Sequence, residues 1–537
     1  MKRTTISLIA VATALAAVTG IASLTSPEGD AAPQNKAAAR LPVERSSLMC
    51  PAPSTSELAE TLYTSFTPAA GEDAGAGGDA EKPTAELRPS ASVLADTDAA
   101  PAKDDKDADA DRDADADRDA DGEKEAGDSA AAARKPAPDK PVVVLEAPGK
   151  PVAADADGGE APALVGTATG ALAPGWTAQQ TTTVPAGGGR GLLGVSCTAP
   201  DTDFWFPAAS LAERRQDYVH LTNPDDTSAV ADIELYGKDG ELKSTLSEGI
   251  TVPPGGTVPV LLSTLTADKA DDVTVHVTTR TGRVGAVVRS ADETDGSDWL
   301  AASADPAGTA VLPGIPADAT SVQLVAFAPG QEDADLKVQL AGPTGTITPA
   351  GFEKLRVKSG MTAMIDLKDV TRGEAGTLVL SPAEKGRETP VVAALRVVRG
   401  KGEKKEVAFI PAAAPVGARA TVADNRDKGS FLSLTAPGKA AQVKVSVSAG
   451  TRGGTAAVKT YTVKAGTTLT ITAPVPEGLR GTFALTVQTV SGGPVHASRM
   501  LEVPDDGIPM FTVQNLSDDR GTVSVPVAEQ DLSVLDD

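Results

Sequence analysis

Beyond about residue 200 the chain is written in short alternating runs. Val273, Val275 and Val277 alternate with Thr274, His276 and Thr278, and Val443, Val445 and Val447 alternate with Lys444, Ser446 and Ser448. A period of two places the valines on one face of an extended strand and the polar residues on the other. Gly, Pro and Asp bound the runs, as turns between strands require. Outside the first 24 residues no 15-residue window keeps a helical period, so the pattern predicts an all-β fold.

The punctuation between the runs repeats. The turn Val252-Pro253-Pro254-Gly255-Gly256-Thr257 returns as Val357-Lys358-Ser359-Gly360-Met361-Thr362 and as Val463-Lys464-Ala465-Gly466-Thr467-Thr468, at spacings of 105 and 106 residues. Downstream, strands ending in Arg289, Arg396 and Arg499 recur, and an apolar pair before Pro207, Pro313 and Pro411 opens each unit. A unit of roughly 100 residues with about seven strands is the size of an immunoglobulin-like or fibronectin-like β-sandwich. The repeat predicts sandwiches over 199–305, 306–402 and 403–504, followed by C-terminal strands and a tail over 505–537. A fourth copy is expected over 41–70 plus 161–198, because Cys50-Pro51 precedes Thr67-Pro68 by the 17 residues that separate Pro207 from Pro224.

Two segments break the pattern. Lys2 and Arg3 precede the apolar run Ile6 to Val18, and the small residues after it offer cleavage sites, so 1–31 reads as an export signal peptide or a retained membrane anchor. Residues 71–160 carry 25 acidic against 11 basic side chains, and no aromatic residue stands between Phe66 and Trp176. Such a stretch buries too little apolar surface to offset the entropy of ordering, so a disordered acidic insertion in a strand-connecting loop is expected, with Val142 to Leu145 as one short strand. More than half of the chain's net charge of −24 lies there. An acidic balance of this size argues against nucleic acid as a partner.

Within the insertion Asp117, Asp119, Asp121, Gly122 and Asp128 stand at positions 1, 3, 5, 6 and 12 of a calcium-loop pattern. Lys124 occupies position 8, Asp128 replaces the bidentate Glu, and no amphipathic helix flanks the loop. Repeated Asp-Ala pairs generate such a pattern readily, and loose cation condensation is the reading these mismatches favour over a calcium site. No other cofactor is expected.

An exported chain with two cysteines is expected to oxidise them, so Cys50 and Cys197 read as a disulfide that closes a loop around the insertion. No nucleophile elbow, no His-Glu-x-x-His and no phosphate-binding loop occurs, and Gly187-Gly188-Gly189-Arg190-Gly191 lacks the Lys that would follow. His220 and His276 stand between apolar neighbours and are expected on the solvent faces of their strands. Trp205 and Trp299 are the candidate sugar platforms, with packing in the core or between modules as the reading weighed more heavily.

The segment MKRTTISLIAVATALAAVTG, the Cys50-Pro51 strand, the Asp/Ala-rich insertion, Ser196 to Pro200 followed by Asp203-Phe204-Trp205-Phe206, and the tail Ile508 to Val513 together resemble an uncharacterised family of large secreted actinobacterial proteins. The resemblance implies secretion and a β-rich fold and supplies no site residues. The expectation is an exported, non-enzymatic structural or interaction protein of the cell envelope, meeting an envelope protein or glycan. The alternative is a carbohydrate-binding or glycan-processing accessory protein of the cell wall.

Overall fold

A computed structural model describes residues 39–69, 83–92, 140–245 and 248–525. Among them there is no α-helix, and the strands build four two-sheet sandwiches. The expected all-β architecture is therefore what the chain adopts.

The first module contains β1 (Arg45–Cys50), β2 (Glu60–Phe66), β3 (Ala85–Pro89), β4 (Val143–Leu145), β5 (Val152–Asp157), β6 (Leu164–Thr169), β7 (Thr177–Val184) and β8 (Gly191–Ser196). Its two sheets run in the order β1-β6-β3-β4 and β5-β2-β7-β8. The second module repeats this order with β9 (Asp203–Ala209), β10 (Arg215–Thr222), β11 (Ala229–Gly237), β12 (Ile250–Val252), β13 (Gly256–Leu261), β14 (Val273–Thr281), β15 (Gly285–Asp292) and β16 (Gly296–Leu300). The third does so with β17 (Ala310–Ile315), β18 (Ala319–Phe327), β19 (Ala334–Ala341), β20 (Lys354–Val357), β21 (Thr362–Asp366), β22 (Gly376–Pro382), β23 (Val392–Lys401) and β24 (Lys404–Pro411). The fourth comprises β25 (Ala420–Asn425), β26 (Ser430–Ala436), β27 (Ala441–Val447), β28 (Ala457–Val463), β29 (Thr467–Thr472), β30 (Phe483–Gly492), β31 (His496–Glu502) and β32 (Phe511–Leu516). Equivalent strands thus differ by eight in number, and each module has its own apolar core between its sheets.

Several expected boundaries move. Lys404–Pro411 pairs with β23 as the last strand of the third module and does not open the fourth. Phe511–Leu516 pairs with β31 and completes the fourth module instead of standing outside it. Ala85–Pro89, Val143–Leu145 and Val152–Asp157 lie inside the stretch 71–160 expected to be an insertion, yet they are integral strands of the first module. Their short alternating runs, such as Ala85-Glu86-Leu87, bury Ala85 and Leu87 completely against β6 and so complete the core. The acidic core of the insertion and residues 1–38 lie outside the described residues, as do Asp117, Asp119, Asp121 and Asp128.

The four modules close a ring. The eighth strands pack in a cycle, β8 against β16, β16 against β24, β24 against β32, and β32 back against β8. Around this axis the first strand of each module lies on the outer face of the second sheet of the next: β1 on β15, β9 on β18 and β23, β17 on β26 and β31, and β25 on β2 and β7. Both faces of the second sheets are therefore covered where the first strand of the preceding module crosses them. This is why Val391 to Val398 reads as a continuous apolar run broken only by Arg396, where a half-buried strand would alternate.

The junctions are packed with large side chains. Val287 and Trp299 meet Leu193 and Val195 between modules one and two, Trp205 meets Phe327 and Val392 between two and three, and Phe66 meets Ala423 and Ala484 between four and one. Phe511 and Val513 join the core of module three. Separately, Ala39–Pro42 and Thr522–Val525 form a two-stranded sheet of their own.

Candidate functional site

The residues singled out in the sequence are mostly consumed by the architecture. Cys50, at the end of β1, and Cys197, just after β8, are bonded in the core of the first module, with Cα atoms 4.5 Å apart. Trp205 is 9 % exposed and stacks on His276, ring centroids 3.6 Å apart, and on Phe327 at 5.4 Å. Trp299 is 2 % exposed and meets the edge of His220. Neither indole is free to serve as a sugar platform.

Both histidines depart from the expected solvent faces, for one reason: a face that would be wet in an isolated sandwich is covered by the neighbouring module. His220 is buried beside Trp299, and desolvation, with Arg289 nearby, lowers its pKa to about 3. It is neutral at any physiological pH. His276 is held between two carboxylates, Nδ1 3.0 Å from Glu234 Oε2 and Nε2 3.2 Å from Asp203 Oδ2, with Trp205 over its ring. Among the described residues no group of three or more His, Cys, Asp or Glu side chains is arranged to hold a metal ion.

Beside the buried ion pairs of Arg215 with Asp217 and of Arg396 with Asp292 and Asp295, two further polar clusters stand out. The first is the ring axis, where the buried carboxylate of Asp298 on β16 accepts hydrogen bonds from the Gly194 amide on β8 (3.0 Å) and the Thr512 hydroxyl on β32. Glu406 on β24 accepts from the Leu192 amide and from Arg190, both at 3.0 Å. These side chains tie all four eighth strands together. Burial holds Asp298 well above the ordinary carboxylate range and pushes Glu406 up to about 8, against the pull of the Leu192 amide and of Arg190. Gly194 is required here, because a Cβ at that position would run into Thr512 and Gln514. Both carboxylates are fully buried in the axis.

The second is a cleft of about 1150 Å³ where the fourth module meets the first. Its first-module wall is the outer face of β5, β2 and β7. The cross-strand register places Asp155, Leu62 and Thr181 in one row and Asp157, Glu60 and Thr183 in the next. Its fourth-module wall carries Arg426 and Asp427 after β25, Arg452 beside the short strand Gly453–Thr455, and Leu479 to Thr482 before β30. Arg426 lies against Asp424, at 3.3 Å. Among the described residues, Arg452, Arg480, Glu60, Asp155 and Asp157 make no ion pair, so the two charged walls face each other without closing. The Thr181 hydroxyl, in a side chain only 2 % exposed, has no hydrogen-bond partner.

This cleft went unread in the sequence because its two walls come from segments separated by about 240 to 420 positions, and each charged residue is ordinary in its own segment. The one local signal is Pro151, which stands in the first module where the other modules carry Thr257, Thr362 and Thr468.

A family of unknown function, DUF5719, matches residues 152–474, from β5 through β29. The chain belongs to that family. No curated protein matches it.

Proposed function

With membership of a family that assigns no activity as the starting point, we propose that this is an exported, non-enzymatic interaction or structural protein that works at or beyond the cell surface. The observation that carries the reading is the Cys50–Cys197 disulfide, sealed in the core of the first module of a chain whose first residues read as an export signal. Disulfides persist in oxidising compartments and are uncommon in reducing ones. The resemblance to large secreted actinobacterial proteins points the same way.

The ring supports a role in binding more than in chemistry. Asp298 and Glu406 are sealed in the axis, Trp205, Trp299, His220 and His276 are packed at module junctions, and a cleft lined by charged side chains opens between the fourth and first modules. A glycan-binding role built on Trp205 and Trp299 finds no support, since both indoles are covered. The envelope is the proposed site of action, with the N-terminal apolar run either removed or kept as an anchor.

Fractionation of cells making the full chain tests the proposal. The protein is expected in the medium or envelope fraction, with its two cysteines refractory to alkylation until reduced. Recovery in the cytosol with two free thiols refutes it.

A further inference from the structure

The ring contains four junctions built on one plan, and one of them is left open. In each module the fifth strand is the edge of the second sheet, preceded by a glycine in the left-handed region: Gly149 (φ +79°), Gly255 (+58°), Gly360 (+67°) and Gly466 (+67°). Alternate N–H and C=O groups of an edge strand point away from the sheet and seek partners. In three modules the preceding module bonds to the start of this strand, at the main chain in the second and fourth modules and through a side-chain hydroxyl in the third. Ala91–Ser92 of the first module adds parallel to Gly256 and Thr257 of β13, with the Ala91 amide donating to Gly255 O at 3.1 Å. The Thr362 hydroxyl on β21 donates to Tyr236 O at 2.7 Å. On β29 the Thr468 amide donates to Gly342 O at 2.9 Å and its hydroxyl to Ala341 O at 2.7 Å.

β5 is the exception. The residue equivalent to those threonines is Pro151, which has neither an N–H nor a hydroxyl to give. β5 pairs with β2 on one side, and among the described residues no hydrogen bond joins it to the fourth module. The cleft described above lies along this strand, with Asp155 and Asp157 of β5 at its border and the buried, unpartnered Thr181 hydroxyl within it.

We propose that the open edge of β5 takes up an extended peptide segment of a partner protein, which adds a strand to the second sheet of the first module as Ala91–Ser92 adds to that of the second. Main-chain hydrogen bonds to an exposed edge give such a complex its affinity, and the side chains on one face give its specificity. Those side chains enter the cleft. Basic ones lie beside Asp155 and Asp157 as cross-strand neighbours, and acidic ones reach Arg452 and Arg480 on the opposite wall. The recognised segment is therefore a strand with both charges on one face. A peptide of a single sign meets a like-charged wall on one side. The proposal deepens the reading of the chain as an interaction protein by naming the site and the class of partner. The cell-fractionation test addresses location alone, so either idea can fail while the other stands.

Titration calorimetry with the full, oxidised chain provides the test. The probes are end-capped octapeptides with Thr on one face and, on the other, alternating Lys and Asp, Lys only, or Asp only. The mixed peptide is expected to bind at least tenfold more tightly than either single-sign peptide, and N-methylation along one edge is expected to abolish the difference. Arg452→Ala with Arg480→Ala is expected to weaken the mixed peptide about tenfold without changing thermal unfolding, since both side chains are exposed and unpaired. Equal binding of the three peptides, binding indifferent to N-methylation, or no saturable binding at millimolar peptide would each overturn the proposal.

Discussion

Removal of the disulfide is the most quantitative perturbation the ring allows. Cys50 and Cys197 are 147 positions apart and lie in the core of the first module, so replacing both with Ala exposes no charge and deletes little volume. In the chain-entropy account, releasing a loop of that length costs about 17 cal/mol/K, or roughly 5 kcal/mol at 25 °C. That is comparable to the whole stability of a small domain, typically ~5–15 kcal/mol. The first module closes the ring against both the second and the fourth, so its loss uncovers Phe66, Ala423 and Ala484 at one junction and Val195, Val287 and Trp299 at the other.

Residues 93–139 lie inside the closed loop, and deleting them shortens it from 147 to about 100 positions, which changes the loop term by only about 0.3 kcal/mol because the dependence is logarithmic. Urea unfolding followed by tryptophan fluorescence should therefore show the Cys50→Ala, Cys197→Ala pair losing about 5 kcal/mol in the full chain and nearly the same in the deletion background. A loss below about 1 kcal/mol would refute the constraint argument. A difference between backgrounds above about 1.5 kcal/mol would show that the deleted segment contributes to the fold beyond its length.

Two further outcomes follow from the junctions and the axis. Trp205→Ala removes a side chain packed between His276 and Phe327 and should cost about 3–5 kcal/mol by urea titration, whereas a loss under about 1 kcal/mol would mean that modules two and three do not depend on this contact. Glu406 has a folded pKa of about 8 against an ordinary 4.5, so the native state binds more protons than the unfolded chain between those values, and this group makes stability fall as pH rises from about 4.5 to 8, by up to roughly 5 kcal/mol. Glu406→Gln should flatten that decline, and an unchanged pH profile would contradict the assignment.

Sandwich architecture, module count and the disulfide were legible because they depend on local and periodic information. Alternation of Val with Thr specifies a strand with one buried face, a glycine held at positive φ marks the turn before each fifth strand, and two cysteines in a chain with an export-like leader have only each other as partners. Pairing decided the boundaries instead. Phe409-Ile410-Pro411 imitates the opening of a module, yet it pairs with Arg396, Leu395 and Ala394 of β23 and not with any strand of the fourth module. Ala85 to Pro89 and Val152 to Asp157 were masked by the acidic residues around them, although only alternate positions need be apolar to complete a sandwich.

The amino-acid pattern by itself determined which segments are strands, which of their faces are apolar, and that the unit repeats. Closure of the four units into a ring belonged to the tertiary structure alone. A strand's own period reports the face toward its sister sheet; it says nothing about whether the other face meets water or the next module. That second burial moved His220 off the expected solvent face and gave Trp205 and Trp299 the packing between modules that outweighed a sugar platform in the sequence. It also placed Asp298 and Glu406 in a closed axis, and left β5, with Pro151 in place of a threonine, as the fifth strand to which, among the described residues, no neighbouring module hydrogen-bonds.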